Sequence, residues 1–342
     1  LRKPHMKRAF ALLCLGLFAA VGSAQETFGT IDRKDPAFDK LIPKDAKIEK
    51  LAGGFKWVEG PVWIKNGGFL LFSDIPNNAI HQWTPGKGLV RDFIKPAGYT
   101  GKEPRPGTLP TDEPGSNGLM LDAEGRLTLC EHGDARVARL DKDFKNKVTL
   151  AHKYNGKKLN SPNDLVYHSN GDLYFTDPPY GMVKHFEDPA RELDFCGVYR
   201  LKKDGTLDLL TKEMTRPNGI ALSPDEKWLY VANSDPKQAI WKKFPVKEYG
   251  TIGEGKIFYD ATSLVGKKPG LPDGLKVDVH GNVFATGPGG VLIFNPEGTL
   301  LGVIDTGVPT ANCAFGEDGT ILYIAADKSL AKIRTSTKGK GF

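Results

Sequence analysis

Cysteine is scarce, with four in 342 residues, too few for a disulfide framework. Cys14 falls in the leader described below; Cys130, Cys196 and Cys313 remain. One pair, Cys130 with Cys196 in neighbouring repeats, or three buried thiols would both account for that count. No apolar run reaches membrane-spanning length: the longest, Ala9 to Val21, has thirteen residues, against about 20 for a spanning helix. Surplus charge is also missing. The formal net charge is +6, and without Arg2, Lys3, Lys7 and Arg8 it falls to +2, so no electrostatic footprint for nucleic acid is expected. Sustained helical periodicity with caps is absent after the leader. So are a G-x-S-x-G elbow, a glycine-rich phosphate loop opening a helix and a C-x-x-C pair; "GPGGV" from Gly287 precedes a strand and reads as a tight turn. These absences argue against serine-elbow hydrolases, nucleotide-binding folds and thiol redox enzymes.

What is present begins with a leader. Four basic residues precede the apolar run, and the small residues Gly22-Ser23-Ala24 follow it, the pattern of a secretory signal peptide over residues 1–24. The expectation is export to the periplasm or medium, no membrane contact after cleavage, and one domain over residues 25–342. Leu13 before Cys14 is not the small residue that lipidation requires.

The rest of the chain repeats one grammar six times, beginning at Glu59, Asn117, Asn163, Asn218, Asp273 and Asn312. An oxygen-bearing residue leads a short apolar strand; a turn rich in Gly, Asp and Asn follows, then a second strand and a third. Strands such as "LYFTD", "WLYVAN" and "VFATG" hardly alternate, so both faces should be buried. A small sheet cannot bury both faces alone, whereas six arranged radially cover one another. The sequence therefore predicts an all-β fold, a six-bladed β-propeller, with "AKIEKLAGGF" before the first repeat supplying a strand to complete the last blade. Two insertions, Lys95 to Ser116 and Pro178 to Gly197, interrupt the period and are candidates for setting access and specificity.

The first strand of each propeller blade lines the central channel, so the six leading residues should converge near one mouth. Asn-Gly and Asp-Gly are also strong turn formers, but turn chemistry does not account for Glu59 before Pro61. Carboxylates of Glu59, Asp164 and Asp273 in a narrow channel would repel unless protonated or neutralised by a cation. Carboxylates mixed with amide oxygens are hard ligands suited to Ca²⁺, and under stricter geometry to Mg²⁺. Zn²⁺ fits less well because no His or Cys leads a repeat. Among the histidines, His132 in "CEHGD" follows a blade strand and is a candidate for touching substrate, while His168 and His280 fall in hairpin turns expected to face solvent.

The motifs "EGPVW", "SDIPNN", "SPNDLVYHSNGDLYFTDPPYG", "RPNGIALSPDEKWLYVAN" and "LPDGLKVDVHGNVFAT" resemble the gluconolactonase branch of the SMP-30/gluconolactonase/luciferin-regenerating-enzyme family over nearly all of the chain after the leader. The resemblance implies a divalent ion, commonly Ca²⁺, held by Glu59, Asn163, Asn218 and Asp273, with Asn117 on the substrate or metal side. No counterpart of the substrate-contacting Arg of some relatives is found. It further implies a metal-dependent lactonase acting on a sugar lactone of the glucono-1,5-lactone type. The attacking water then needs a base, and Asp273 or Asp164 is the available type of group; Asp273 is preferred, with Asp164 either orienting Asn163 or sharing proton transfer. An esterase or phosphotriesterase on the same centre, and a non-catalytic propeller binding a sugar or protein, are the alternatives. Monomer and dimer are equally compatible with the sequence.

Overall fold

The computed structural model describes residues 26–101 and 111–342; the expected signal peptide, 1–24, and the middle of the first insertion, 102–110, lie outside them. The six repeats form six antiparallel sheets. Counted outward from the axis, blade 1 is Val58–Ile64, Phe69–Asp74, Ala79–Thr84 and Gly88–Ile94, and blade 2 is Ser116–Leu121, Leu127–Glu131, Arg136–Leu140 and Lys147–Ala151. Blade 3 is Leu165–Tyr167, Leu173–Asp177, Gly197–Leu201 and Leu207–Thr211; blade 4 is Pro217–Leu222, Trp228–Asp235, Gln238–Pro245 and Lys256–Asp260. Blade 5 is Leu275–Val277, Val283–Gly287, Gly290–Phe294 and Leu300–Asp305, and blade 6 is Thr310–Gly316, Ile321–Ala326 and Ser329–Arg334. The six innermost strands touch in a closed cycle, which makes the molecule a six-bladed β-propeller. Among the described residues, helix is limited to four short 3-10 turns.

The ring is closed by the beginning of the chain. Glu49–Gly53 pairs antiparallel with Ser329–Arg334 and becomes the outer strand of blade 6, as the sequence predicts. An additional strand, Thr30–Arg33, pairs with Leu300–Asp305 as a fifth strand on blade 5. Phe38, from the turn between these two strands, is fully buried among Phe284, Ile293 and Phe315 of blades 5 and 6. Each blade interface holds one apolar cluster, and these six clusters are the core. Leu71 and Ile80 meet Leu119 and Leu129 between blades 1 and 2. Trp241 meets Phe294 between blades 4 and 5, and Trp63 stacks on Tyr323 at 5.8 Å across the 6-to-1 seam. Because each sheet is covered on both sides, Leu173–Asp177 and Val283–Gly287 are buried at every residue.

Candidate active site

Glu59, Asn117, Asn218 and Asn312 lie in the first strands of their blades, Asn163 and Asp273 stand two residues before theirs, and the glycines that follow Asn117, Asn218 and Asp273 must let the next blade come close. A Cβ on Gly118 would lie 2.7 Å from Asn163 O, one on Gly219 2.2 Å from Asp273 O, and one on Gly274 2.0 Å from Asn312 Cγ. None of these three glycines has positive φ. In each pair glycine is therefore demanded by the approach of the neighbouring blade; Asn117-Gly118 and Asn218-Gly219 lie within strands, and Asp273-Gly274 immediately precedes one. Backbone bonds run through the gap so made: Gly118 N donates to Asn163 O at 2.8 Å, and Gly274 N to Ala311 O at 2.8 Å. Gly219→Ala is expected to cost about 2–3 kcal/mol through overpacking, read as a lower urea midpoint; an unchanged midpoint would contradict the close approach.

A second set of residues, not recognised in the sequence, fixes these strands. Near the end of the second strand in four blades, a hydroxyl donates to a main-chain carbonyl at the start of the next blade. Ser73 reaches Asn117 O at 2.8 Å, Thr176 reaches Asn218 O at 2.7 Å, Ser234 reaches Pro272 O, and Thr286 reaches Ala311 O at 2.8 Å. Buried carbonyls are thereby satisfied, and the ligand-bearing backbone is held from behind. The signal was available: "SD", "TD", "SD" and "TG" recur at this place in "FSDIP", "FTDPP", "NSDPK" and "ATGPG".

Above the ring opens a cavity of about 490 Å³. Glu59, Asn117, Asn163, Asn218 and Asp273 line it, with Trp57, Glu113, Tyr180, Ser234 and Lys268 on its walls. The two insertions each contribute to the wall, Glu113 from the first and Tyr180 from the second. Three buried oxygens here, Asn117 Oδ1, Asn163 Oδ1 and Asp273 Oδ1, have no hydrogen-bond partner among the described residues. Asn218 donates from Nδ2 to Ser234 at 3.1 Å, which leaves its amide oxygen as the group to offer the cavity. Buried polar atoms are ordinarily paired, so several orphaned acceptors around one space, with no donor among them, match the donor set of a hard cation.

The electrostatics agree. Burial, and then the nearby Asp164, pushes the Glu59 carboxyl up to about 8. Burial, Glu59 and Asp164 push Asp273 well above the usual carboxylate range. Asp164 is raised by burial as well, against the pull of Lys276. Between about pH 4.5 and 8 the cation-free folded chain therefore keeps a proton on Glu59 that the unfolded chain has lost. Stability consequently falls as pH rises through that window. In EDTA the melting temperature should drop between pH 5 and pH 8, and saturating Ca²⁺ should flatten the profile; a pH-independent melting temperature in EDTA would contradict this.

Asp164 and Asn312 sit one layer below the cavity and are not on its surface. Asp164 occupies the position that is Gly60, Gly118, Gly219, Gly274 or Cys313 in the other repeats. Its Oδ1 accepts from Leu165 N at 2.9 Å and its Oδ2 from Asn312 Nδ2 at 3.4 Å. Asn312 Nδ2 also donates to Glu59 Oε2 at 3.1 Å, while its Oδ1 accepts from Lys276 Nζ at 3.3 Å. Lys276 itself stands where the other repeats carry Val62, Met120, Val166, Ala221 and Phe315. The two departures from the repeat pattern are thus linked through Asn312: an extra carboxylate in one blade and an extra ammonium in another. Neither charge would be tolerated in that layer alone.

His132 is completely buried and does not line the cavity. Its Nε2 lies 3.3 Å from Asn117 Nδ2, so it acts on the cavity by setting the Asn117 amide with its oxygen turned away from the ring. His280 is exposed, as expected. His168 is a correction: its ring is packed 6.2 Å from Tyr174 and its Nδ1 is 3.3 Å from Glu226 Oε2 of blade 4, because the blade 3 hairpin turn leans on its neighbour. Cys130, Cys196 and Cys313 are all free and buried, which decides for thiols over a Cys130–Cys196 bridge.

Comparison with known proteins gives a consistent picture. Residues 57–328 match the family described as "SMP-30/Gluconolactonase/LRE-like region". The chain is 41% identical over 322 residues to a gluconolactonase of Zymomonas mobilis subsp. mobilis, covering 92% of this chain and 88% of that one. Two solved structures superpose on it at 29% identity and 92% coverage of this chain. One is a protein described as a putative gluconolactonase, with a TM-score of 0.78 and 100% of its chain covered. The other is a gluconolactonase from Xanthomonas campestris, with a TM-score of 0.75 and 99% covered.

Proposed function

Because this chain belongs to the SMP-30/gluconolactonase/LRE-like family, we propose that it is a lactonase that hydrolyses a sugar lactone of the glucono-1,5-lactone type to its aldonic acid. The observation that carries this reading is the set of oxygens on the cavity floor: Glu59, Asn163, Asn218 and Asp273 side by side, two of them with buried acceptors that nothing else satisfies. These four are the residues that would hold a divalent cation, Ca²⁺ in preference to Mg²⁺ or Zn²⁺ given an all-oxygen set. When bound, such an ion supplies Lewis-acid polarisation of a carbonyl oxygen.

The chain's own residues account for the remaining needs of the reaction. Asp273, one of two carboxylates on the cavity floor, serves as general base: it takes a proton from water as the water oxygen bonds to the lactone carbon. It returns that proton to the ring oxygen as the C–O bond breaks, so that atoms and charge balance. Asn117, held by His132, presents its amide oxygen to the substrate side. Asp164 serves as a positioning residue for Asn312 and, through it, Glu59. Tyr180 and Trp57 give the wall an aromatic and polar character suited to a hydroxylated ring. The basic-then-apolar start, Arg2 to Ala24, supports export as the setting in which this happens.

The test is acid release followed by pH-stat over sugar lactones, an aryl ester and an aryl phosphotriester. Preference for the sugar lactones is the expected result; faster turnover of the ester or phosphotriester would move the protein to the alternative chemistry, and no turnover of any would leave a binding protein.

A further inference from the structure

The first insertion brings one side chain, Glu113, to the cavity wall among its described residues, and the loop around it is anchored rather than draped. Asn78 Oδ1 accepts from the amides of Ala97, Gly98 and Tyr99 at 3.1, 2.8 and 3.1 Å, and Asn78 Nδ2 donates to Tyr99 O at 2.9 Å. Thr100 is bound to Asp134 through both its amide and its hydroxyl. On the other side of Glu113, Gly115 N donates to Ile75 O at 3.0 Å, and Gly133 N and His132 N donate to Pro114 O and Gly115 O at 3.2 and 3.1 Å. Blades 1 and 2 therefore both hold the segment that carries Glu113. Glu113, next to Pro114 and Gly115 in a stretch held this way, is delivered at a set position.

Among the described residues, the carboxylate is delivered without a full complement of partners. Its Oε2 lies 3.6 Å from His132 Nδ1, beyond hydrogen-bond length; the side chain lines the cavity and is 34% exposed. With Asn117 Nδ2 donating to His132 Nε2, the neutral imidazole carries its proton on Nδ1, facing Glu113. The contact between Asn117 and His132 thus sets both the amide orientation and the imidazole tautomer, and Glu113 and Asn117 line one cavity. Burial, and then Asp112, pushes this carboxyl up to about 7; ionised above that pH, it is an acceptor for hydroxyl groups, and its two oxygens match a vicinal diol.

On the basis of the lactonase reading, we propose that Glu113 is the specificity residue that binds adjacent ring hydroxyls of the sugar lactone. It is not required for the bond-breaking steps. A lactone without hydroxyls leaves this carboxylate unpaired and gains nothing from it; a polyhydroxylated one makes charge-assisted hydrogen bonds.

The experiment compares the full protein with Glu113→Ala and Glu113→Gln, in Ca²⁺, by two readouts. Turnover is measured on glucono-1,5-lactone and on unsubstituted δ-valerolactone, and equilibrium binding is measured with the non-hydrolysable glucono-1,5-lactam. Glu113→Ala is expected to raise KM for the sugar lactone and weaken lactam binding about 10- to 100-fold, the worth of charge-assisted hydrogen bonds. Its kcat and its turnover of δ-valerolactone should stay within about threefold of wild type, a span below one hydrogen bond. Glu113→Gln, which keeps a carbonyl acceptor, should recover part of the binding. Three results would overturn the inference: lactam bound equally well by Glu113→Ala, no lactam binding by wild type, or equal losses on both lactones. If wild type binds the lactam through Glu113 and yet hydrolyses neither lactone, the sugar-reading role stands and the lactonase reading falls.

Discussion

Asp273→Ala is expected to lower kcat/KM for glucono-1,5-lactone by about 10³-fold or more, since it removes both a general base and a charge at the reacting centre. The size of the effect follows from two duties meeting in one side chain. Asp273 is the only carboxylate besides Glu59 among the leading residues of the ring, and its Oδ1 is buried, unpartnered and on the cavity floor. Its main chain is fixed independently, by Asp273 N donating to Thr286 O at 2.9 Å. The fold should therefore survive the substitution, with an unchanged far-ultraviolet spectrum. Asp273→Asn keeps the shape but not the charge or the basicity, and should lose nearly as much. Turnover within tenfold of wild type in either variant would place the base elsewhere.

Adding Ca²⁺ to EDTA-treated protein is expected to raise its melting temperature by about 5 °C. A ligand at 100 times its dissociation constant stabilises the folded state by about 2.7 kcal/mol, and a chain of this size gains roughly 2 °C per kcal/mol. The increment arises because the ion offsets both the burial of Glu59 and Asp273 and the repulsion between them and Asp164, the causes, burial first, that hold the Glu59 carboxyl up near 8. Glu59→Gln should abolish most of the shift while leaving the EDTA melting temperature at pH 7 equal or higher, because Gln is neutral without the proton that Glu59 must take up on folding. Zn²⁺ at equal concentration should do less, for want of nitrogen or sulfur donors. A melting temperature indifferent to Ca²⁺ would remove the cation from the account of the channel.

Much of this was legible in the sequence because it is written six times. The leading Glu59, Asn163, Asn218 and Asp273 stand out only when the repeats are aligned, and the ring then has to bring them together. What the sequence reading missed has local physical reasons. The fourth strand of the blades, such as Lys147–Ala151 and Lys256–Asp260, is outermost and half-exposed, so it carries little apolar signal. Thr30–Arg33 is four residues with no buried position, and it is a strand only because blade 5 offers it an edge. The pairs Asn218-Gly219 and Asp273-Gly274 satisfy turn preferences and close packing alike, and only the neighbouring blade distinguishes the two. Lys276 and Asp164 were visible as exceptions to the repeat, but that they compensate one another depends on Asn312 lying between them, across three blades. Glu113 and Tyr180 reach the cavity from insertions whose path no periodicity describes.

The most direct test of the central claim is acid release from glucono-1,5-lactone by the purified wild-type protein, followed by pH-stat above the spontaneous rate, in EDTA and after Ca²⁺ is restored. Turnover that disappears in EDTA and returns with Ca²⁺ is the result expected of a propeller whose channel oxygens hold a cation for lactone hydrolysis. Full turnover persisting in EDTA, or none under either condition, would contradict it.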